Sequence, residues 1–315
     1  MKVAVCGAWH VHAIGYAKEA KQTPGVELIG FYEENPALRE GFAKALEIPH
    51  FADFQELLDS DAEAVIVCTS TDAHEKYMTA IANAGKHIFT EKVLALTTES
   101  CLRIKEAVER NGVRFVISLV HKKMPEILAV KALADSGELG RLNYVRFRNC
   151  HSGSIAGWLP THFFSSEACG GGAMIDLGAH GMYLTDWFLG LPDRYQSSFT
   201  VWDHNEKNAD QLEDNAVTLM TYRDGTIAIN ETGFVSVGSP MMLEVGGDKG
   251  YARFVRDEGV VKNTTATEGK TVSVKLPERL PSPLALFLQG CENTDCGMEE
   301  ALHLTQMMEG AYRNR

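Results

Sequence analysis

Residues Ala84–Ala95 read AGKHIFTEKVLA, a short apolar run that ends in an adjacent glutamate and lysine, Glu91 and Lys92. The elements before it alternate strand, helix, strand, and that alternation builds a parallel sheet. Ligands of open parallel sheets bind in the crevice outside the carboxyl ends of the strands. With Lys86–Thr90 read as such a strand, the lysine just beyond it is expected to face a ligand, and the chain becomes readable as an enzyme. The bland alternative is a solvated Glu–Lys pair on a surface loop.

Outward from that stretch the same pattern continues. Lys2–Cys6 (KVAVC) reads as a first strand, followed by Gly7 and a helix from about Val11 to Gln22. Val26–Tyr32 (VELIGFY) reads as a second strand, closed by Glu33 and Glu34. Asn35 before Pro36 marks a helix start, a capping side chain followed by proline at the first helical position. Ala64–Cys68 (AVIVC) is a buried strand, after which Thr71 and Asp72 are expected to cap a helix ending near Gly85. Thr97 or Thr98 opens another helix, Asn111-Gly112 closes it, and Val113–Ser118 is the last parallel strand. Six strand–helix units in about 120 residues describe a doubly wound Rossmann-type dinucleotide-binding domain, placed at residues 1–121.

After His121 the composition changes. A helix over about Pro125–Ser136 and a strand at Leu142–Cys150 precede an irregular segment, His151–Gly172. A long helix follows at about Ala173–Leu189, then strands at Asn215–Tyr222, Thr226–Gly233, Met241–Gly246 and Tyr251–Val255. Arg223-Asp224-Gly225 is a hairpin signal. Residues 122–295 therefore read as an α+β domain with a large, mostly antiparallel open sheet, for substrate binding and oligomerisation. Val217 and Leu219 on one side of a strand and Ala216 and Met220 on the other suggest a sheet covered on both faces, by helices and by a second subunit. The closing helices, with the last at about 296–315, are expected to pack back on the first domain.

Composition limits the partners. The 315 residues are 45% hydrophobic and 23% charged, as in ordinary globular proteins. A net charge of −12 and a pI near 5.4 argue against nucleic acid and anionic membranes. An anionic cofactor stays possible, because N–H groups at a helix start bind phosphate without net positive charge. Seven scattered cysteines with no C-x-x-C pair read as free thiols in a reducing cytosol. With a strand from residue 3 no signal peptide is expected, no run is long enough to suggest a bilayer span, and a cytoplasmic location is the expectation.

Three groups could carry chemistry. Gly7 opens the first helix where a pyrophosphate would sit, but Gly7-Ala8-Trp9-His10-Val11-His12 has Trp9 and His12 where the second and third glycines of G-x-G-x-x-G belong. Glu33, at the end of the second strand, stands where a carboxylate would bind a ribose diol and repel a 2′-phosphate, which favours NAD over NADP. Lys92 could stabilise developing alkoxide charge. Asp176 and His180, in GGGAMIDLGAH, lie four apart on one helix face, and histidine is the side chain best suited to exchange a proton near neutral pH. A plain i,i+4 pair on a solvated face is the alternative. His151, His162 and His180 lack the spacing of a zinc motif, so no metal is expected.

Together and in this order these pieces resemble the glucose–fructose oxidoreductase / inositol dehydrogenase / rhizopine-catabolism (Gfo/Idh/MocA) family, over nearly the whole chain. The likeness is strongest in CTSTDAHEKYMTAIANAGKHIFTEKVLA, GGGAMIDLGAHGMYLTDWFLG and EDNAVTLMTYRDGTIAINETG. The resemblance implies Lys92 as catalytic lysine, Asp176 as substrate-orienting residue and His180 as proton acceptor. It implies cofactor contacts from Gly7, Ala8, Trp9, His10, Val11, Glu33, Thr69, His74 and Glu91. Trp158 and His162, with Glu167, would line the substrate site, although Trp158 could equally be core, the reading that suits Phe163 better. Val93 stands where the family has proline and relaxes the backbone at Lys92. The expected activity is NAD(P)-dependent oxidation of a sugar or polyol secondary alcohol by a homodimer or homotetramer built through the second domain's sheet. Substrate is expected between the Lys92 crossover and the Asp176–His180 helix. Two other readings stay open: a glycosidase or lyase that uses retained NAD transiently, and a non-catalytic nucleotide or sugar sensor.

Overall fold

Strands that are apolar on both faces organise the first half of the chain. In the computed structural model, which describes residues 1–291 and 294–315, the chain divides into two compact units. One comprises residues 1–118 and 281–305, the other 119–280 and 306–315.

The first unit is a parallel sheet of β1 (Lys2–Cys6), β2 (Glu27–Tyr32), β3 (Ala64–Val67), β4 (His87–Thr90) and β5 (Phe115–Ile117). The spatial order is β2-β1-β3-β4-β5. All four residues of β3 are buried, as expected of a strand with helices on both faces. Where six strand–helix units are expected, five strands form. Outside them, His50 forms a single parallel bridge with Phe31 at the outer edge of β2. Pro49 gives its carbonyl to the Phe31 N–H at 3.0 Å but has no N–H to return, so the ladder goes no further. The order reverses between β1 and β3, and the crevice beyond their carboxyl ends is the ligand position of such sheets.

Helix ends follow the sequence at most points. Asn35 Oδ1 accepts the N–H groups of Ala37 and Leu38 at 3.0 and 3.3 Å. Thr97 caps the helix Thr98–Asn111, and Gly112 ends it at φ +60°. Thr71 and Asp72 do not cap. They form a 3₁₀ turn, Thr71–Ala73, that leads straight into the helix His74–Asn83 with no side-chain cap. The first helix starts at Ala13 instead of Val11, because the His10 N–H is drawn to the carbonyl of Cys68 at 3.1 Å.

The second unit holds an eight-stranded sheet. Its strands are β6 (Leu142–Cys150), β7 (Arg194–Thr200), β8 (Asn215–Thr221), β9 (Ile227–Gly233), β10 (Met242–Gly247), β11 (Gly250–Val255), β12 (Gly259–Thr264) and β13 (Val272–Ser273). They lie in the order β13-β12-β11-β10-β6-β9-β8-β7, antiparallel except for β6 beside β9. β7, β12 and β13 escape the sequence reading; in RYQSSFT only Tyr195 and Phe199 mark the half-buried face, among polar residues. The Arg223-Asp224-Gly225 turn joins β8 to β9, with Asp224 Oδ1 accepting the Thr226 N–H at 3.0 Å.

One face of this sheet is buried within the unit and the other is open. Ala216, Thr218 and Met220 are buried, whereas Val217 is 37% exposed. The open face carries an Arg146–Glu231 ion pair at 2.9 Å beside Arg148, Ser198 and Asn215. The expected helix at Ala173–Leu189 begins as a π-helical turn, Met174–Gly178, and continues as an α-helix, Ala179–Leu189. A Cβ on Gly181 would stand 2.0 Å from Asn230 Oδ1, so glycine lets the helix seat on β9. Asn230 in turn donates to the Gly178 carbonyl at 2.7 Å. No helix among the described residues is long and apolar enough to cross a membrane.

Candidate active site

The turn after β1 is built around Gly7. Its φ is +89°, and a Cβ there would lie 2.6 Å from the backbone nitrogen of Thr69. Only glycine fits both demands. The next residue, Ala8, donates its N–H to Glu33 Oε2 at 2.6 Å, and Asn35 donates to Glu33 Oε1 at 2.8 Å. Glu33 is thereby fixed at the end of β2, buried to 6% exposure.

A cleft opens here, lined by Gly7, Trp9, Tyr32, Glu33, Thr69 and Tyr77 among others. Trp9 forms part of its wall and does not fill it. The Thr69 hydroxyl is buried without a hydrogen-bond partner. A glycine cradle at the sheet's reversal point, an unsatisfied hydroxyl and a fixed carboxylate fit the adenosine and diphosphate of a dinucleotide. Each Glu33 oxygen keeps a lone pair for a ribose hydroxyl. Ala8 serves through its N–H, while Ala8, His10 and Val11 are not among the lining residues and Val11 is 51% exposed. His74 lies in the core, with Nδ1 3.0 Å from the Leu94 carbonyl. Sequence reasoning missed Tyr32 and Tyr77, whose aromatic rings at the cleft look like ordinary core in the sequence.

Glu91, beyond β4, is buried and heavily bonded. Its Oε1 lies 2.7 Å from His12 Nδ1 and receives the Tyr16 hydroxyl, which is itself 2.7 Å from Ser118 Oγ. Its Oε2 accepts the backbone N–H of Lys92 at 3.0 Å. Burial works to raise the carboxyl pKa, but the charges of His10, His12 and Lys92 outweigh it and hold Glu91 well below the usual range. Burial and the same carboxylate push the Tyr16 phenol up. Lys92 is itself buried, and the Lys92–Val93 peptide is cis. His10, His12 and Glu91 form the one group among the described residues whose ligand atoms cluster within 4.8 Å, so His151, His162 and His180 make no such cluster.

In the second unit the π-helical turn carries Asp176, and His180 follows in the first turn of the α-helix. His180 Nδ1 is 2.8 Å from the Tyr183 hydroxyl, whose oxygen accepts the His121 N–H at 3.1 Å. The turn is anchored by Glu213, whose Oε1 accepts N–H groups of Gly172 at 3.0 Å and Met174 at 3.1 Å and the hydroxyl of Tyr312 at 2.6 Å. A carboxylate suits the positive end of a helix. Glycine is required at 171 and 172, where a Cβ would fall 2.0 Å from the Tyr312 hydroxyl and from the Glu213 carbonyl. Neither Glu213 nor Tyr312 could be singled out from the sequence, since each supports the site from a distant segment.

The segment before this helix supplies aromatic walls. His151 stacks on Phe234 at 4.9 Å and meets Trp158 at 4.7 Å. Burial lowers the His151 pKa, with Asp176 partly offsetting it. Trp158 is 57% exposed, while Phe163 joins a buried cluster with Leu159, Phe164, Ala173 and Phe234. His162 is half-buried beside Phe163, and burial lowers its pKa.

Two family profiles match the chain. One is described as the oxidoreductase family with an NAD-binding Rossmann fold, over residues 1–119, and the other as the GFO/IDH/MocA C-terminal domain, over residues 127–253. The chain belongs to the Gfo/Idh/MocA family. Its first unit is that family's NAD-binding Rossmann domain. Curated relatives include an inositol 2-dehydrogenase of Salmonella typhimurium, 27% identical across 66% of this chain and 59% of its own length. Another is inositol 2-dehydrogenase 2 of Saccharopolyspora erythraea, 27% identical across 84% of this chain and 67% of its own. The chain thus spans 59% of the length of the first curated relatives it matches. Solved structures share the Gfo/Idh/MocA fold at low identity. Levoglucosan dehydrogenase, in complex with NADH and levoglucosan, has a TM-score of 0.83 at 16% identity over all of this chain and 96% of its own. Aldose-aldose oxidoreductase from Caulobacter crescentus has a TM-score of 0.80 at 17% identity over all of this chain and 97% of its own.

Proposed function

We propose that this Gfo/Idh/MocA chain is an NAD-linked dehydrogenase that oxidises a secondary alcohol of a sugar or polyol. The supporting observation is Glu33, a buried carboxylate fixed by two backbone N–H groups at the edge of a cleft whose first turn only a glycine at position 7 allows. Its charge accepts a ribose diol and opposes a 2′-phosphate. Names of the relatives, inositol 2-dehydrogenases among them, point the substrate toward cyclitols and sugars. Bound nicotinamide would take the hydride.

The chain's own residues handle the oxygen and its proton. His180 accepts the hydroxyl proton, Lys92 stabilises the alkoxide-like oxygen, and Asp176 orients the substrate by accepting one of its hydroxyls. Trp158 and His162 contribute to the substrate's surroundings. The open sheet face, with Arg146, Glu231 and Val217, joins a second copy in a cytoplasmic homodimer or homotetramer.

The test is absorbance at 340 nm with NAD and a panel of inositol, levoglucosan and aldoses. Reduction of NAD by at least one is expected, and Lys92→Ala and His180→Ala should each lower turnover by about 10²–10⁴ with NAD still bound. Near-normal turnover in both variants removes the residue assignments. Product without net reduction favours the transient use of a retained NAD.

A further inference from the structure

We propose that His10, His12 and Glu91, all in the first unit, form a binding site for a divalent transition-metal ion such as Zn²⁺. The site goes beyond the dehydrogenase reading and does not rest on it. No spacing rule announces it, because Glu91 stands 79 residues beyond His12.

The donor atoms are already gathered. Glu91 Oε1 lies 2.7 Å from His12 Nδ1 and 3.9 Å from His10 Nδ1, and the three atoms fall within 4.8 Å of one another. Zinc takes nitrogen and carboxylate oxygen at about 2.0–2.2 Å, which in a tetrahedron sets donors about 3.3–3.5 Å apart. One contact must therefore open and the other close, each by roughly 0.5–0.7 Å. His12 can make that adjustment, since its side chain is 54% exposed on the turn before the helix Ala13–Gln22. Two imidazoles and one carboxylate are the donor set of several catalytic zinc sites, and imidazole nitrogen suits zinc, cobalt or iron better than magnesium or calcium. Three protein donors leave a fourth position for water or an anion, on the solvent side that His12 borders.

The hydrogen bonds at the cluster are compatible with an ion. A nitrogen and a carboxylate oxygen 2.7 Å apart share a proton, and the ion takes that proton's place and releases it to solvent. The His12 backbone N–H reaches His10 Nδ1 only at 3.3 Å, beyond the usual range, and is the contact given up. The Tyr16 hydroxyl on Glu91 Oε1 and the Lys92 N–H on Oε2 at 3.0 Å remain as outer partners that orient the carboxylate. The Lys92 charge also acts on Glu91, so the ion shares its carboxylate with an ammonium and binds less tightly than in a closed structural site.

The experiment is calorimetric titration of the chelator-stripped 315-residue chain with Zn²⁺, without nucleotide, and a parallel titration with Co²⁺ followed by its visible absorption. The expected result is one ion per chain with a dissociation constant of about 10 µM or tighter. Losing an outer partner of a metal site costs about 10–100-fold, so removing a donor in His12→Ala should weaken binding by at least about 100-fold. His12→Gln should lose the ion as well, and His204→Ala, at an exposed histidine elsewhere, should keep it. Melting curves of the metal-free proteins confirm folding, and Zn²⁺ should raise the melting temperature of the wild type but not of the two His12 variants. Absence of both heat and a cobalt band at about 100 µM ion overturns the proposal. So does one-ion binding that survives in His12→Ala or His12→Gln.

Discussion

Ala8 and Glu33 are joined by a 2.6 Å hydrogen bond that ties the turn after β1 to the end of β2. Because Asn35 occupies the other carboxylate oxygen, Glu33 both shapes the dinucleotide cleft and supplies its charge. Glutamine can accept only one of these two N–H groups and must point its own NH₂ at the other. Leaving a buried donor unmatched costs about 1–3 kcal/mol. Glu33→Gln should therefore lower the melting temperature by several degrees in scanning calorimetry and weaken NAD by about tenfold. Unchanged melting and unchanged affinity would show that neither role is real.

Gly7→Ala tests the cradle itself. The substitution forces a side chain into a positive φ and 2.6 Å from Thr69 nitrogen, against backbone that cannot move aside. A loss of more than about 2 kcal/mol is expected, with NAD binding abolished even where the fold survives. Chemical denaturation and titration read the two effects separately.

Much of this arrangement was legible before any coordinates. The run KVAVC followed by glycine, and AVIVC followed by a polar turn, read as buried strands feeding a crevice, because both are short, rich in β-branched valine and bounded by turn residues. Asn35-Pro36 and Asn111-Gly112 act locally and fall where expected. What sequence could not carry was anything decided at a distance. His50 pairs as a single bridge, β7 has only Tyr195 and Phe199 to mark its inner face, and Glu213 and Tyr312 reach the π-helical turn from segments remote in sequence. Likewise Trp9 in place of glycine suggests a blocked cleft, and only the path of the turn makes it a wall.

Tyr312→Phe tests that remote support. The hydroxyl donates to the buried Glu213 carboxylate at 2.6 Å and accepts the Ile175 N–H at 3.2 Å. Removing it strands both, at about 1–3 kcal/mol. Turnover should fall with melting temperature, since the turn that carries Asp176 is anchored there, while NAD affinity stays unchanged. A variant as stable and active as the wild type would contradict the anchoring.

His74 sets an expectation for pH. Burial holds its imidazole pKa below the ordinary 6.5, with Nδ1 against the Leu94 carbonyl and Nε2 buried without a partner. Below an unfolded value of about 6.5 the unfolded chain binds a proton that the folded chain refuses, so stability falls as pH falls. Above that value the contribution is fully present. Melting temperature should be flat above about pH 7 and decline below about 6.5, with the decline reduced in His74→Gln. His87, His151 and His162, also lowered by burial, keep part of the slope. An equal slope in wild type and variant would exclude His74 from it.

Titration of the 315-residue chain with NAD and with NADP by isothermal calorimetry bears most directly on the central claim, a dinucleotide cleft built around Gly7 and made selective by Glu33. The expected result is one NAD site per chain with NADP weaker by about tenfold or more. No heat from either nucleotide at millimolar concentration, or tighter binding of NADP, would contradict it.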